Sequence, residues 1–282
     1  MLIFNRQEEL KNHLKSVSGP NTTIGFVPTM GALHKGHLSL IKNSLTDNQI
    51  TIVSIFVNPT QFNNAEDLEK YPRTIEIDTE KIEAVSKEVI IFAPSVEDIY
   101  QGNTVSASFN FDGLENQMEG AYRPGHFDGV GTIVKRLFEI ANPTNAYFGE
   151  KDFQQLQIVK KMVKKHHLSV NVIGCPIFRE ENGLAMSSRN ERLSASEKED
   201  ASLIYKTLKT AKEKFGTNSA KEVTEYVENV FKQNAEFKLE YFEIADEEEL
   251  ISSAENKKDK KYRAFIAVFI NNIRLIDNIA LN

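Results

Sequence analysis

The chain has 282 residues, 40% of them hydrophobic and 26% charged, with a formal net charge of −6. That length buries a sizeable core and suits about two domains, while the acidic balance gives no pull toward nucleic acid or an anionic membrane surface. Cys175 is the single cysteine, so an internal disulfide is excluded, as suits a reducing cytoplasm.

At the N-terminus, MLIFNRQEELK becomes charged too soon to hold the apolar core of a secretion signal. No run approaches the roughly 18 apolar residues of a membrane helix, so a soluble, cytoplasmic protein is expected. Apolar runs of strand length fall at 23–27, 50–57, 89–92, 145–148 and 169–173. Between them the spacing predicts helices over 38–45, 74–86, 130–140 and 152–166. Such alternation predicts an α/β domain over residues 1–175: a Rossmann-like parallel sheet with helices on both faces. Ligands of such sheets sit outside the carboxyl ends of the strands. From 176 to 282 the pattern changes to charged amphipathic helices (194–215 and 220–231) followed by strand-like runs (237–244 and 263–270). A smaller C-terminal α+β domain is expected there, closing over the first, with the polar stretch 252–261 as an exposed loop.

Three predicted strand ends carry polar residues suited to chemistry. After the first comes a glycine-bearing bend, Pro28-Thr29-Met30-Gly31, and then His34-Lys35-Gly36-His37 at a helix start. A helix N-terminus offers free N–H groups and partial positive charge, so two imidazoles there suit a nucleotide triphosphate. The same pair could be half of a zinc site, but no cysteine is near and the first carboxylates are Asp47 and Glu66. After the second strand, Asn58 and Gln61 offer amides for the hydroxyl and carboxylate oxygens of a small substrate, or simply a stable turn. A later strand ends in Gly149-Glu150-Lys151-Asp152, with Gln155 one turn on. There Lys151 could meet phosphate, and Asp152 could cap the helix or hold a ribose hydroxyl. Further on, Met186-Ser187-Ser188-Arg189-Asn190 joins two hydroxyls to a guanidinium, as phosphate recognition or a capped turn would. For Arg123-Pro124-Gly125-His126-Phe127, spacing alone assigns no chemistry.

In order along the chain, PTMGALHKGH (28–37), FVNPTQF (56–62), YPRT (71–74), RPGHFDGV (123–130), FGEKDFQQL (148–156), GLAMSSRN (183–190) and RLIDN (274–278) resemble the pantoate–beta-alanine ligases, within the wider HxGH nucleotidyltransferases. The resemblance implies a two-step reaction. Pantoate's carboxylate attacks the α-phosphorus of ATP, and the amine of beta-alanine then attacks the pantoyl adenylate, giving pantothenate and AMP. It further implies ATP contacts at Met30, Gly31, Ala32, Leu33, His34, Lys35, Gly36 and His37. More are implied at Gly149, Glu150, Lys151 and Asp152, at Phe178, and at Met186, Ser187, Ser188 and Arg189. His34, His37, Lys151 and Arg189 would stabilise charge as pyrophosphate leaves, with His37 a proton donor. Gln61 and Gln155 would bind pantoate, Gln61 would also place beta-alanine, and Asn58 would support that wall. The family also implies Mg²⁺ on the phosphate oxygens, with Asp78 the first carboxylate to inspect though no protein ligand is assigned, and a homodimer. Two departures stand out: Phe178, where a smaller aliphatic residue is common, and Asn271-Asn272 in place of a usual glycine. An HxGH enzyme acting on a phosphorylated acceptor would need more cations near Asn58 and Gln61. A binding module without activity would be expected to lack one of His34, His37, Lys151 or Arg189.

Overall fold

The computed structural model describes residues 1–62, 65–252 and 259–282. The chain divides into two compact units, Met1–Glu150 with Gln155–Pro176, and Lys151–Gln154 with Ile177–Asn282. The four residues Lys151–Gln154 thus group with the second unit, ahead of the boundary expected near 176. No helix among the described residues is long and apolar enough to cross a membrane.

The first unit runs β1 (Leu2–Phe4), α1 (Gln7–Val17), β2 (Ile24–Thr29), α2 (Lys35–Asp47), β3 (Ile50–Ile55), α3 (Ala65–Lys70) and α4 (Ile75–Glu83). It continues through β4 (Ile90–Phe92), α5 (Val96–Tyr100), α6 (Met118–Tyr122), α7 (His126–Ala141), β5 (Asn145–Gly149), α8 (Phe153–Lys165) and β6 (Asn171–Cys175). The strands form one sheet in the order β1-β4-β3-β2-β5-β6, and every pairing is parallel. Strands covered on both faces read as near-continuous apolar runs, as Ile24–Thr29 and Ile50–Ile55 do. Successive residues of β2 show both covers. A Cβ on Gly25 would lie 2.1 Å from Ser44 Oγ of α2, whereas Phe26 packs edge-on against Phe138 of α7. From β2 the chain moves outward through β3 and β4, then returns to β5 on the other side. That reversal opens a crevice at the carboxyl ends of β2 and β5, and the exits of β3, β2 and β5 lie side by side.

The second unit contains α9 (Ala195–Asp200), α10 (Ser202–Phe215), α11 (Ala220–Lys232), β7 (Phe237–Asp246), β8 (Tyr262–Ile270) and β9 (Ile273–Ala280). Its strands make an antiparallel sheet in the order β7-β8-β9. Leu208, Val223, Val227, Ile266 and Val268 are buried in its core. The helix predicted over 194–215 is two helices that meet at Ala201. Ser194 and Ser219 each begin a helix with a reciprocal capping pair, to Glu197 and Glu222. The β8–β9 turn explains one departure from the family pattern: Asn271 sits at φ 50°, a left-handed conformation that asparagine tolerates better than most residues. Of the polar stretch expected as a loop over 252–261, residues 253–258 lie outside the described residues.

Candidate active site

The connection from β2 to α2 is held open by its backbone and by a distant helix. Gly31 at φ 83° and Ala32 at φ 50° turn the chain through two successive left-handed residues. The N–H groups of Ala32 and Leu33 then point the same way and donate to Asp78 Oδ2 and Oδ1, at 2.9 and 2.7 Å. Asp78, on α4, is fully buried and also accepts from Thr74 Oγ1 at 3.1 Å. One helical turn on, Lys81 donates to the Leu33 carbonyl at 2.6 Å. A carboxylate and an ammonium three residues apart on one helix thus grip the donors and the acceptor of the same loop. Asp78, singled out above for a metal, has both its oxygens engaged in this grip. Nothing in the sequence near 31–33 signals it, because the partner lies 45 residues away or more.

His34 follows in extended conformation as the N-cap of α2, and His37 is that helix's third residue. Their rings stack with centroids 4.0 Å apart and planes 25° from parallel. His34 N–H donates to His37 Nδ1 at 3.4 Å, so a neutral His37 carries its proton on Nε2. The helix start, its remaining N–H groups and two adjacent imidazoles suit an anion. Met30 leads into this loop.

After β3, Asn58 enters a short 3-10 turn, Pro59–Gln61. Asn58 and Gln61 are both buried, and Asn58 Nδ2 donates to Gln61 Oε1 at 3.2 Å. Gln61 Nε2 donates to the Met30 thioether at 2.8 Å. Thioether sulfur is a weak acceptor, so this N–H is readily given to a better oxygen. Gly149 ends β5 and Glu150 follows it, with Gln155 half-buried in the first turn of α8. Met30 to His37, Asn58 and Gln61, and Gly149, Glu150 and Gln155 therefore stand at the exits of three neighbouring parallel strands.

The other expected contacts belong to the second unit. Lys151 Nζ lies 3.7 Å from Asp152 Oδ1, and the Lys151 carbonyl accepts from Asn278 Nδ2 at 2.9 Å. Asn278 itself accepts from Arg263 Nη1 at 2.6 Å, and the Arg263 guanidinium stacks 3.9 Å from the Phe153 ring centroid. Ser187 Oγ accepts from Arg189 N–H at 3.2 Å and caps the turn Ser188–Arg192. Phe178 answers Met186 through its backbone, its carbonyl accepting Met186 N–H at 2.9 Å, while its side chain is exposed. The unusual side chain at 178 is thus compatible with the local hairpin. Lys151, Ser187, Arg189, Asn190, Arg274 and Asp277 line one small cavity. Asp277 is buried and takes Arg179 in a two-pronged ion pair at 2.6 and 2.9 Å. Burial raises its carboxyl, and the guanidinium pulls it back. Arg179 also lies 3.7 Å over the Tyr205 ring. Sequence reasoning missed this pair: the RLIDN motif carried its signal, but the motif's partners were not legible.

A family model described as pantoate-beta-alanine ligase matches residues 2–280. The chain is 63% identical over 281 residues to a pantothenate synthetase of Flavobacterium psychrophilum, covering 100% of both. Among solved structures, a pantothenate synthetase of Thermus thermophilus superposes with a TM-score of 0.91 at 38% identity, covering 100% of this chain and 99% of that one. A pantoate-beta-alanine ligase of Francisella tularensis, solved in complex with beta-gamma ATP and beta-alanine, gives 0.81 at 36% identity, with 100% and 98% covered. With a family model matched over nearly its whole length and its fold shared from end to end, the chain belongs to the pantoate-beta-alanine ligase family.

Proposed function

We propose that the chain is the ATP-dependent ligase that joins pantoate to beta-alanine, forming pantothenate, AMP and pyrophosphate. The observation that carries this reading is the stacked His34–His37 pair at the start of α2, together with the buried Gln61 amide in the turn that follows the neighbouring strand β3. In the first step a pantoate carboxylate oxygen bonds to the α-phosphorus as the bond to pyrophosphate breaks. In the second, the amine of beta-alanine bonds to the acyl carbon of the pantoyl adenylate, AMP leaves, and the amine loses a proton. His37 Nε2–H and His34 serve the phosphates and the charge that develops on departing pyrophosphate. Lys151 and Arg189 supply positive charge to the same nucleotide, and Ser187 and Ser188 supply polar contacts to it. Met30 to His37, Gly149 to Asp152, Phe178 and Met186 complete the assigned ATP contacts. Gln61 and Gln155 donate to pantoate, Gln61 also serves beta-alanine, and Asn58 steadies Gln61.

Mg²⁺ is assigned to the phosphate oxygens. The donor set fits that arrangement: no group of three His, Cys, Asp or Glu able to cage an ion occurs among the described residues, and Asp78 is committed to backbone N–H groups. Bound there, the ion would neutralise phosphate charge. A homodimer in the cytoplasm completes the reading.

The test is an assay with ATP, Mg²⁺ and pantoate, with and without beta-alanine. Pantoate-dependent release of pyrophosphate is expected, then AMP and pantothenate once the amine is added. ADP and phosphate as products would sink the adenylate route.

A further inference from the structure

The RPGHFDGV segment packs onto Gln61. Gly125, at φ 79°, turns the chain into α7, so His126 is the first residue of that helix. His126 is 6% exposed, and its Nδ1 lies 3.0 Å from the Gln61 carbonyl oxygen. A carbonyl only accepts, so Nδ1 carries the proton. Arg123 Nη1 lies 3.4 Å from His126 Nε2, and Arg123 Nη2 donates to the Gln61 carbonyl at 3.4 Å. Since a guanidinium only donates, a neutral imidazole with Nε2 as acceptor satisfies both neighbours.

The same segment settles which way the Gln61 amide faces. Asn58 Nδ2 lies 3.1 Å from the Gly129 carbonyl, which again only accepts. The Asn58 amino group is therefore on that side, and its Oδ1 receives the Tyr100 hydroxyl at 2.6 Å. The second Asn58 N–H goes to Gln61 Oε1, which leaves Gln61 Nε2 as the end presented to Met30. No side chain fits at 129, where a Cβ would fall 2.4 Å from the Thr60 carbonyl oxygen and 2.7 Å from Gln61 Cα. Backbone and side chain of Gln61 are thus each fixed from one turn of α7.

We propose that His126 is a positioning residue for pantoate binding: its Nδ1–H holds the Gln61 carbonyl, while the Gly129 carbonyl acts through Asn58 to aim the Gln61 amide N–H at the substrate. The inference rests on the assignment of Gln61 to pantoate. The side chain at 126 needs a donor at the Nδ1 position and no charge.

Two amides of similar size separate this role from simple packing. Asparagine places its N–H₂ near Nδ1 of the imidazole, and glutamine places it near Nε2. Steady-state kinetics of His126→Gln, with each substrate varied in turn, should show the KM for pantoate raised about tenfold, the loss of one buried hydrogen bond. The KM for ATP should change less than about threefold, and His126→Asn should restore most of the pantoate affinity. Arg123→Ala, at a half-buried position, should show the same pattern at smaller size and guards against a His126→Gln variant that fails to fold. In a double-mutant cycle, His126→Gln should add almost nothing to Gln61→Ala. The inference alone is overturned if Gln61→Ala raises the pantoate KM while His126→Gln does not, or if the two losses multiply. A silent Gln61→Ala overturns the assignment of Gln61 and the inference with it. Asparagine as harmful as glutamine, with kcat reduced and no KM singled out, would reduce His126 to a packing residue.

Discussion

Asp78→Asn is the most direct test of how the β2–α2 loop is held. The substitution preserves shape and volume but replaces one acceptor with a donor. In the native site Oδ2 accepts Ala32 N–H at 2.9 Å, Oδ1 accepts Leu33 N–H at 2.7 Å, and Thr74 Oγ1 donates at 3.1 Å, all around a carboxylate with no exposed surface. An amide has a single oxygen, so one backbone N–H would face an amino group. Losing one charge-assisted bond and stranding its buried donor costs about 2–4 kcal/mol. Equilibrium urea unfolding should register a loss of that size. Because the affected N–H groups immediately precede His34, kcat/KM for ATP should also fall by about tenfold or more. The Mg²⁺ concentration for half-maximal rate should stay at the wild-type value. Unchanged stability and unchanged kcat/KM would refute the clamp. A deficit that excess Mg²⁺ repairs would make Asp78 a metal ligand instead.

Three further outcomes are expected. His37→Ala should slow pantoate-dependent pyrophosphate release by about 10²–10³-fold while changing the Kd for ATP by less than about tenfold, because a group acting on charge in the transition state leaves ground-state binding largely intact; equal losses in both would show that His37 binds the two states alike. Asp277→Ala should lower the unfolding free energy by about 3–5 kcal/mol, since it strands the Arg179 guanidinium without its carboxylate, and an unaltered denaturation midpoint would contradict this. Burial pushes the Cys175 thiol up, with Glu150 and Asp47 adding to the shift and an Asn43 hydrogen bond opposing it. The native protein should therefore react slowly with a disulfide reagent at about pH 8 and yield one thiol per chain when unfolded, whereas fast native labelling would show the site to be open.

Much of the first unit was legible because buried parallel strands advertise themselves. Ile24–Thr29, Ile50–Ile55 and Asn145–Gly149 are apolar runs between helical periods, and the polar residues at their ends pointed to the candidate site. Leu2–Phe4 escaped notice because three residues show no period. The start of α7 at His126 was also missed, since its first turn depends on the left-handed Gly125 rather than on apolar spacing. Helix 194–215 read as continuous because a break at Ala201 leaves no compositional mark. Within the site, residue types at strand ends were visible from the sequence, but their supports were not. Asp78 and Lys81 grip a loop far back in the chain, His126 reaches Gln61 across 65 positions, and Arg179 meets Asp277 across 98. Such pairings are set by topology, and no local pattern encodes them.

The grouping of Lys151–Gln154 with Ile177–Asn282 bears on modularity. The chain passes between the two units three times, after Glu150, after Gln154 and after Pro176. A fragment cut at Pro176 would therefore discard part of what its own fold uses. Asn278 Nδ2 would lose the Lys151 carbonyl, and Arg263 and Phe265 would lose the Phe153 ring that each packs against. The C-terminal unit is thus no detachable cassette that recombination could move as one contiguous segment. Its inheritance is tied to the strand–helix junction that also carries a cation assigned to ATP.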